Sequence, residues 1–288
     1  MANQIKYQSS CIETFYDRHP FDSLGDEKSN QESYQALPLQ RSLLDALAGK
    51  LIVDVGCGTG HDVGYAARMG VKVIGLDLSL RSLQIMQARC ELPAVCANNM
   101  ALPLMDGSVD CVMSSGVLHH TQSPNQSFAE LARVVKPGGQ LFLAIYKNKG
   151  RYWFLYTFIG PVFRLLINQG GGLGRMMVHS TALPLYWLVH KIAYWSSPKI
   201  KSRGRRSWAE SKGQFYDYFL TPIVHFLPKD AILSWAKDAN LFLTGYDSNG
   251  RFNVHSFVFR RKERQKPELK GFGHSLILGI SLCAAWCI

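Results

Sequence analysis

From Leu51 to Tyr146, short apolar runs alternate with amphipathic stretches. LIVDVG (51–56) is β-branched and apolar and ends in glycine, as suits a strand covered on both faces. HDVGYAARMG (61–70) carries apolar residues at helical spacing and closes on Gly70. VKVIGLD (71–77) predicts a second strand, and Ser79 stands where the helix LRSLQIMQARC needs a cap. PAVCAN supplies a weak third strand and VDCVMSS (109–115) a fourth, after a turn at Asp106-Gly107. Ser123-Pro124 opens the helix SPNQSFAELARVV, with serine as cap and proline in the first turn. Lys136-Pro137-Gly138-Gly139 stops it, and QLFLAIY (140–146) is a fifth strand. Strands that alternate with helices imply right-handed βαβ units and a mostly parallel sheet.

The alternation then breaks. Residues 148–227 hold Gly160-Pro161, Gly170-Gly171-Gly172, Pro184 and a basic, Ser-rich stretch. It resumes with a helix over 228–240 and two strands, LFLTGYD and FNVHSFVFRR, joined by a turn at Ser248-Asn249-Gly250. The pattern divides the chain into an N-terminal segment (1–50), an α/β domain (51–147 and 228–262), a helical insertion after strand five (148–227) and a tail (263–288).

Composition narrows the class. With 288 residues, 47% of them hydrophobic, the chain can bury a full core, which excludes a disordered or fibrous protein. MANQIKYQSS has no apolar stretch behind Lys6, so no secretory signal is read. The seven cysteines form no C-x-x-C pair and no metal-ligand pattern, which fits a reducing cytoplasm and no bound metal. The net charge of +11 is local: between Lys147 and Gly213 stand twelve Lys or Arg against the single acid Glu210. Such a surplus suits a phospholipid surface, a nucleic acid or an anionic substrate, or else a solvated basic face.

The chemistry sits in Asp54-Val55-Gly56-Cys57-Gly58-Thr59-Gly60, at the end of the first strand. Glycines there let a ligand approach the backbone at a helix N-terminus. Dinucleotide-binding domains use a similar turn. Asp77 ends the second strand about twenty residues on, where an acid can accept both hydroxyls of a ribose; a helix-capping aspartate is the other reading.

DVGCGTG, then GLDLS, ALPLMDGSVDCVMSSGVLHHT and ELARVVKPGGQLFLAIY, in that order, resemble a class I S-adenosylmethionine-dependent methyltransferase of the type 11, UbiE-like subgroup. The resemblance covers about 51–146, and the closing strands fit the same fold. It implies a Rossmann-like, seven-stranded, mostly parallel sheet whose last strand (253–261) is antiparallel, and S-adenosylmethionine as cofactor. It further implies that Asp54, Gly56, Gly58 and Gly60 meet the methionine part, Asp77 the ribose and Leu78 the adenine. Family members usually place an aspartate before Leu102-Pro103 to receive the adenine amino group; here stand Asn98 and Asn99, whose carbonyls can still accept. Ser115 and Gly116 would line the reactive end, and the N-terminal segment, with CIETFYDRHPF, would close as a lid in which Tyr16 and His19 meet substrate or simply pack.

Methyl transfer needs alignment and, for some acceptors, a base. His119 and His120 are candidates, since imidazole titrates near neutrality, or they are structural loop residues. Tyr146 ends strand five at the carboxyl edge, where catalytic or acceptor-binding groups lie.

The insertion bears on the acceptor. RYWFLYTFIGPVFRLLI (151–167) and ALPLYWLVHKIAYW (182–195) are apolar around much of a helix circumference, with bases at their edges. Such segments suit a lipid headgroup boundary, or a hydrophobic lid over the substrate. The tail repeats the theme, basic and then free of Asp, Glu, Lys and Arg from Gly271 to Ile288. Its apolar run is shorter than the roughly twenty residues of a span, so it reads as an interfacial anchor or a pairing element. The expected acceptor is a hydrophobic or lipid-like small molecule, met by a cytoplasmic protein at an anionic membrane surface through 148–212 and 271–288. The alternative is a nucleic-acid (RNA) methyltransferase whose basic insertion binds phosphates and whose aromatics stack on bases.

Overall fold

The structure, a computed structural model, describes residues 11–20, 37–196, 207–249 and 254–263. Its centre is one sheet of β1 (Leu51–Val55), β2 (Lys72–Asp77), β3 (Ala94–Cys96), β4 (Val109–Ser115), β5 (Val135–Tyr146), β6 (Leu241–Asn249) and β7 (Val254–Arg261). The order is β3-β2-β1-β4-β5-β7-β6. The first five pair in parallel, while β7 is antiparallel to both β5 and β6. Because β1 lies between β2 and β4, the strand order reverses beside it. That reversal opens a crevice at the carboxyl ends of β1 and β4, where α/β sheets bind ligands.

Two strands run longer than the sequence predicts. β5 begins at Val135, directly after its helix, and takes Lys136-Pro137-Gly138-Gly139 along through a register shift opposite Val109 and Cys111. β6 continues past the predicted turn: Ser248 pairs with His255 and Asn249 with Val254, so sheet pairing outweighs the local turn preference. Residues 250–253, with the rest of that turn, lie outside the described residues.

Each strand of the buried sheet sends alternate residues to opposite faces. Val53, Val55, Val112, Leu141, Leu143, Ile145, Phe257 and Phe259 meet Phe128 and Leu131 of one helix (Pro124–Val134) and Ile232 and Ala236 of another (Lys229–Asp238). Ile52, Cys111, Met113, Phe142, Ala144 and Val258 face the other way, onto Leu43, Leu44 and Leu47. The helix Pro38–Asp45 therefore packs beneath the sheet. The expected N-terminal lid is thereby narrowed, because these leucines need apolar cover that only the sheet offers. The short helix 11–18, α1, is the described part of that segment that reaches the ligand edge.

Between β5 and Lys229–Asp238 the described residues form three helices: α2 (151–169), α3 (171–196) and α4 (Trp208–Phe219). α2 and α3 each contain one widened π-helical turn, Leu155–Ile159 and Val178–Ala182. Pro161 and Pro184 follow these turns closely. A proline lacks the N–H that a regular turn needs, and the wider turn absorbs the clash with the preceding carbonyl. These helices build a second core from Val178, Leu183, Phe215, Tyr216, Phe219 and Leu220, against which Phe15 of α1 packs. Arg164 donates to the carbonyl oxygens of Phe219 (3.0 Å) and Tyr156 (3.2 Å) and so caps α4 from inside. No helix among the described residues is long and apolar enough to cross a membrane.

Phe257 is fully buried and stacks on Phe259 with ring centres 5.6 Å apart. Phe257→Ala should cost about 3–5 kcal/mol of folding stability, read as a lower midpoint in chemical denaturation.

Candidate active site

Glycines divide the work in the turn after β1. A Cβ on Gly56 would collide with the Val117 side chain, and one on Gly60 with Met86, so these two serve close packing. Gly58 (φ +52°) and Gly116 (φ +78°) are different: a Cβ on either would meet nothing within 4 Å. They border open space from the ends of β1 and β4, with backbone exposed toward the crevice.

Asp77 holds this turn in shape. Its Oδ2 accepts the Gly58 N–H at 2.8 Å, and its Oδ1 accepts the Ser79 N–H at 2.8 Å. The carboxylate still has a lone-pair position beyond the amide bonds it accepts, open to a ribose hydroxyl. Burial raises the Asp77 carboxyl, and the amide bonds from Ser79, Gly58 and Leu78 pull it back down. Asp54 is buried, and burial followed by the nearby Asp62 and Asp77 carboxylates pushes its carboxyl well up. Ser79 caps the helix Leu80–Cys90 by accepting the Ser82 N–H, and its hydroxyl donates to Asp17 of α1 at 2.6 Å. The N-terminal helix is thus pinned beside Asp77.

Leu78, Asn98, Asn99 and Ser115 are half-buried along the same edge. The Asn98 side-chain oxygen expected to meet adenine already accepts the Met100 N–H at 2.9 Å, and its main-chain oxygen accepts Ala101 N–H. Asn98 therefore shapes its own loop and has one lone pair left for a ligand.

A second set of groups gathers beside Tyr146. The Tyr146 hydroxyl donates to Asp217 Oδ2 at 2.8 Å. Asp217 comes from α4, is almost fully buried, and lies 3.7 Å from His120 Nε2 through Oδ1. Tyr152 donates to the Asp217 carbonyl at 3.0 Å. The Tyr16 ring approaches His120 edge-on at 6.2 Å. Burial pushes the Tyr16 phenol well up, and the carboxylates of Asp217 and Asp77 add to it.

The two histidines part company. His119 is fully buried under the Tyr146 ring (4.1 Å between centres), and its Nδ1 accepts the Tyr146 N–H at 3.4 Å. A base that takes a proton from a bound molecule needs access, which this position lacks. His120 keeps a small exposed face, and burial lowers its imidazole to about 4. His19 stacks on Tyr216 (4.2 Å) of the insertion, away from this cluster; burial, then the nearby Lys212, hold it at about 4.

Asp217 and Tyr152 are missed by sequence reasoning. The signal was present in FYDYF, a lone acid among aromatics in an otherwise basic insertion, yet 71 residues separate Asp217 from Tyr146. Two outcomes follow. Asp77→Ala should cost about 1–3 kcal/mol of S-adenosylhomocysteine affinity by calorimetry, because buried donors lose their acceptor. Burial raises the Asp217 carboxyl to about 7, so the folded state holds its proton more tightly than the unfolded chain. Stability should fall as pH rises from the unfolded value of about 4 to about 7, and Asp217→Asn should flatten that slope in thermal melts.

Residues 53–143 match the family description "Methyltransferase domain". A demethylmenaquinone methyltransferase of Tropheryma whipplei is 33% identical over 129 residues, 44% of this chain and 52% of that protein. A probable tRNA methyltransferase 9B of Homo sapiens is 28% identical over 171 residues, 57% of this chain and 37% of that protein. The chain thus spans about half or less of the length of these curated relatives. In fold it resembles the magnesium protoporphyrin IX methyltransferase of Synechocystis PCC 6803 with bound SAM: TM-score 0.52 at 12% identity, covering 88% of this chain and 97% of the other. The glycine turn locked to Asp77, the sheet order and the matched domain agree: the chain carries a class I S-adenosylmethionine-dependent methyltransferase domain, with S-adenosylmethionine as its cofactor.

Proposed function

We propose that the protein transfers a methyl group from S-adenosylmethionine to a hydrophobic or lipid-like small molecule, which it meets at an anionic membrane surface. One observation carries this reading. Of eighteen large apolar side chains exposed among the described residues, thirteen lie between Phe154 and Trp208. Phe158, Val162 and Leu165 on α2 and Leu173, Leu185 and Ile192 on α3 are each more than half exposed. An apolar face of this kind on a single insertion is a docking surface. The same segment holds the chain's charge surplus. Lys149, Arg175 and Lys212 are exposed beside it, whereas Lys147 and Arg164 turn inward. The basic stretch 199–206 and the tail 271–288, which the sequence also offers for membrane contact, lie outside the described residues.

Asp54, Gly56, Gly58, Gly60, Ser115 and Gly116 would hold the methionine end of the cofactor. Asp77 would bind the ribose, and Leu78, Asn98 and Asn99 the adenine. When bound, the cofactor supplies an electrophilic methyl on a sulfonium, a good leaving group. The chain's part is to fix the acceptor in line and keep water out. Tyr16, Tyr146 and His120 form the wall suited to that; Tyr152 and His119 support it by packing, and His19 joins the lid to the insertion.

RNA is the second reading, favoured by the relative named for tRNA and by the basic stretch. Full-length protein, offered vesicles containing about one third anionic phospholipid and an RNA of matched charge, should sediment with the vesicles. Binding should weaken as salt shortens the screening length to about 3 Å near 1 M. Leu165→Glu with Ile192→Glu should abolish it and leave cofactor affinity unchanged. Sedimentation with RNA alone would exchange the two readings. Isotope-labelled cofactor should deliver its methyl into a lipid extract.

A further inference from the structure

The geometry points to Asp217 and His120, with Tyr146, as a proton-accepting subsite for a methyl acceptor that presents a hydroxyl group. This inference rests on the proposed transfer to a small molecule and names the chemical group that molecule must carry.

Tautomer and distance lead to it. His120 Nδ1 lies 2.9 Å from the Ile223 carbonyl oxygen, a contact that only an N–H can make. The neutral ring then has a bare Nε2, which looks at Asp217 Oδ1 across 3.7 Å. Two lone-pair atoms face each other there, too far apart for a mutual hydrogen bond. Among the described residues, none donates to either atom. Both side chains keep some exposure, 6% for His120 and 10% for Asp217, so neither is sealed in the core. An oxygen placed off the line between them reaches both at about 2.8 Å. The missing partner is therefore a donor that enters from the crevice, and a hydroxyl fits.

The surroundings favour proton uptake. Asp217 faces the phenols of Tyr146, Tyr152, Tyr16 and Tyr156, and His120 faces the imidazoles of His119 and His225. Burial pushes the carboxyl to about 7 and the Tyr146 bond only partly offsets it, so the group exchanges a proton near neutrality. General bases work best there. Tyr16 lies against the His120 ring (6.2 Å), and its neighbour Asp17 accepts the hydroxyl of Ser79, whose amide Asp77 holds, so one helix ties this subsite to the Asp77 side of the crevice.

The step balances. The acceptor O–H bond breaks and its proton passes to the Asp217 carboxylate, with His120 Nε2 sharing the hydrogen bond. The oxygen's electron pair forms the new C–O bond to the methyl carbon. The C–S bond breaks and sulfur keeps that pair, so the sulfonium charge is discharged. Asp217 later returns the proton to water.

Two readouts on the full chain test this. In the first, wild type, Asp217→Asn, Asp217→Glu and His120→Gln are given isotope-labelled S-adenosylmethionine and a bacterial lipid extract across pH 5 to 9. Wild-type transfer should fall as pH drops through about 7, because the protonated carboxyl accepts no proton. Asp217→Asn should lose about 10²–10⁴-fold and that acid limb, with S-adenosylhomocysteine affinity kept within about twofold; Asp217→Glu should recover part of the rate. In the second, carbon-13 NMR of the S-adenosylhomocysteine complex should show one carboxyl titrating near neutrality that Asp217→Asn removes. Added phenol, the hydroxyl probe, should shift that carboxyl and the His120 ring in wild type alone. Wild-type rate and pH profile in Asp217→Asn would overturn the inference, and so would NMR spectra untouched by phenol. If wild type labels nothing in the extract, the small-molecule reading fails by itself and the phenol titration still decides the subsite.

Discussion

The bond between the Gly58 amide and the Asp77 carboxylate is the constraint on which the ligand edge depends. It fixes the glycine turn after β1 to the end of β2, beside the line between β1 and β4 where the strand order reverses. The other carboxylate oxygen holds the Ser79 amide, which starts the next helix, and the Ser79 hydroxyl holds Asp17 of α1. A single acid therefore sets the turn, the helix entry and the anchor of the N-terminal helix. Holding a carboxylate there costs desolvation, which three backbone amides offset in part. Ligand contact and loop shape are one problem at this residue, so Asp77 cannot serve the first without the second.

The acceptor side is built on a different principle. The sheet supplies Tyr146 and the turn with His120, while the insertion supplies Asp217 and Tyr152. An aromatic core of its own, with Phe163, Phe215 and Phe219, lets α4 carry a carboxylate into the crevice. That same core turns only one side of α2 and α3 inward. The other side leaves Phe158, Leu165, Leu185 and Ile192 in contact with solvent. The insertion thus places the Asp217 carboxylate against Tyr146 and an apolar face on the outside.

Local chemistry made much of the fold legible. Strand runs at 51–56, 71–77 and 109–115 needed burial on both faces, and Ser79 and Ser123 were caps because their side chains satisfy free helix amides. Asp77 was readable because a short, specific spacing from the glycine turn placed it. Where the chain misled, a longer-range force prevailed: β6 runs through Ser248 and Asn249 because β7 pairs with them. Leu43, Leu44 and Leu47 pack under the sheet because its apolar face needs covering as much as they do.

The sequence by itself determined the α/β class, the glycine turn with the acid that holds it, and the position of the basic, aromatic insertion, since each is written in neighbouring residues. Only the tertiary structure decided that His120 and not His119 meets the crevice, that Asn98 bonds its own loop, and that Asp217 joins Tyr146. Those outcomes depend on burial and on partners as far as 71 residues away along the chain, which no local spacing encodes.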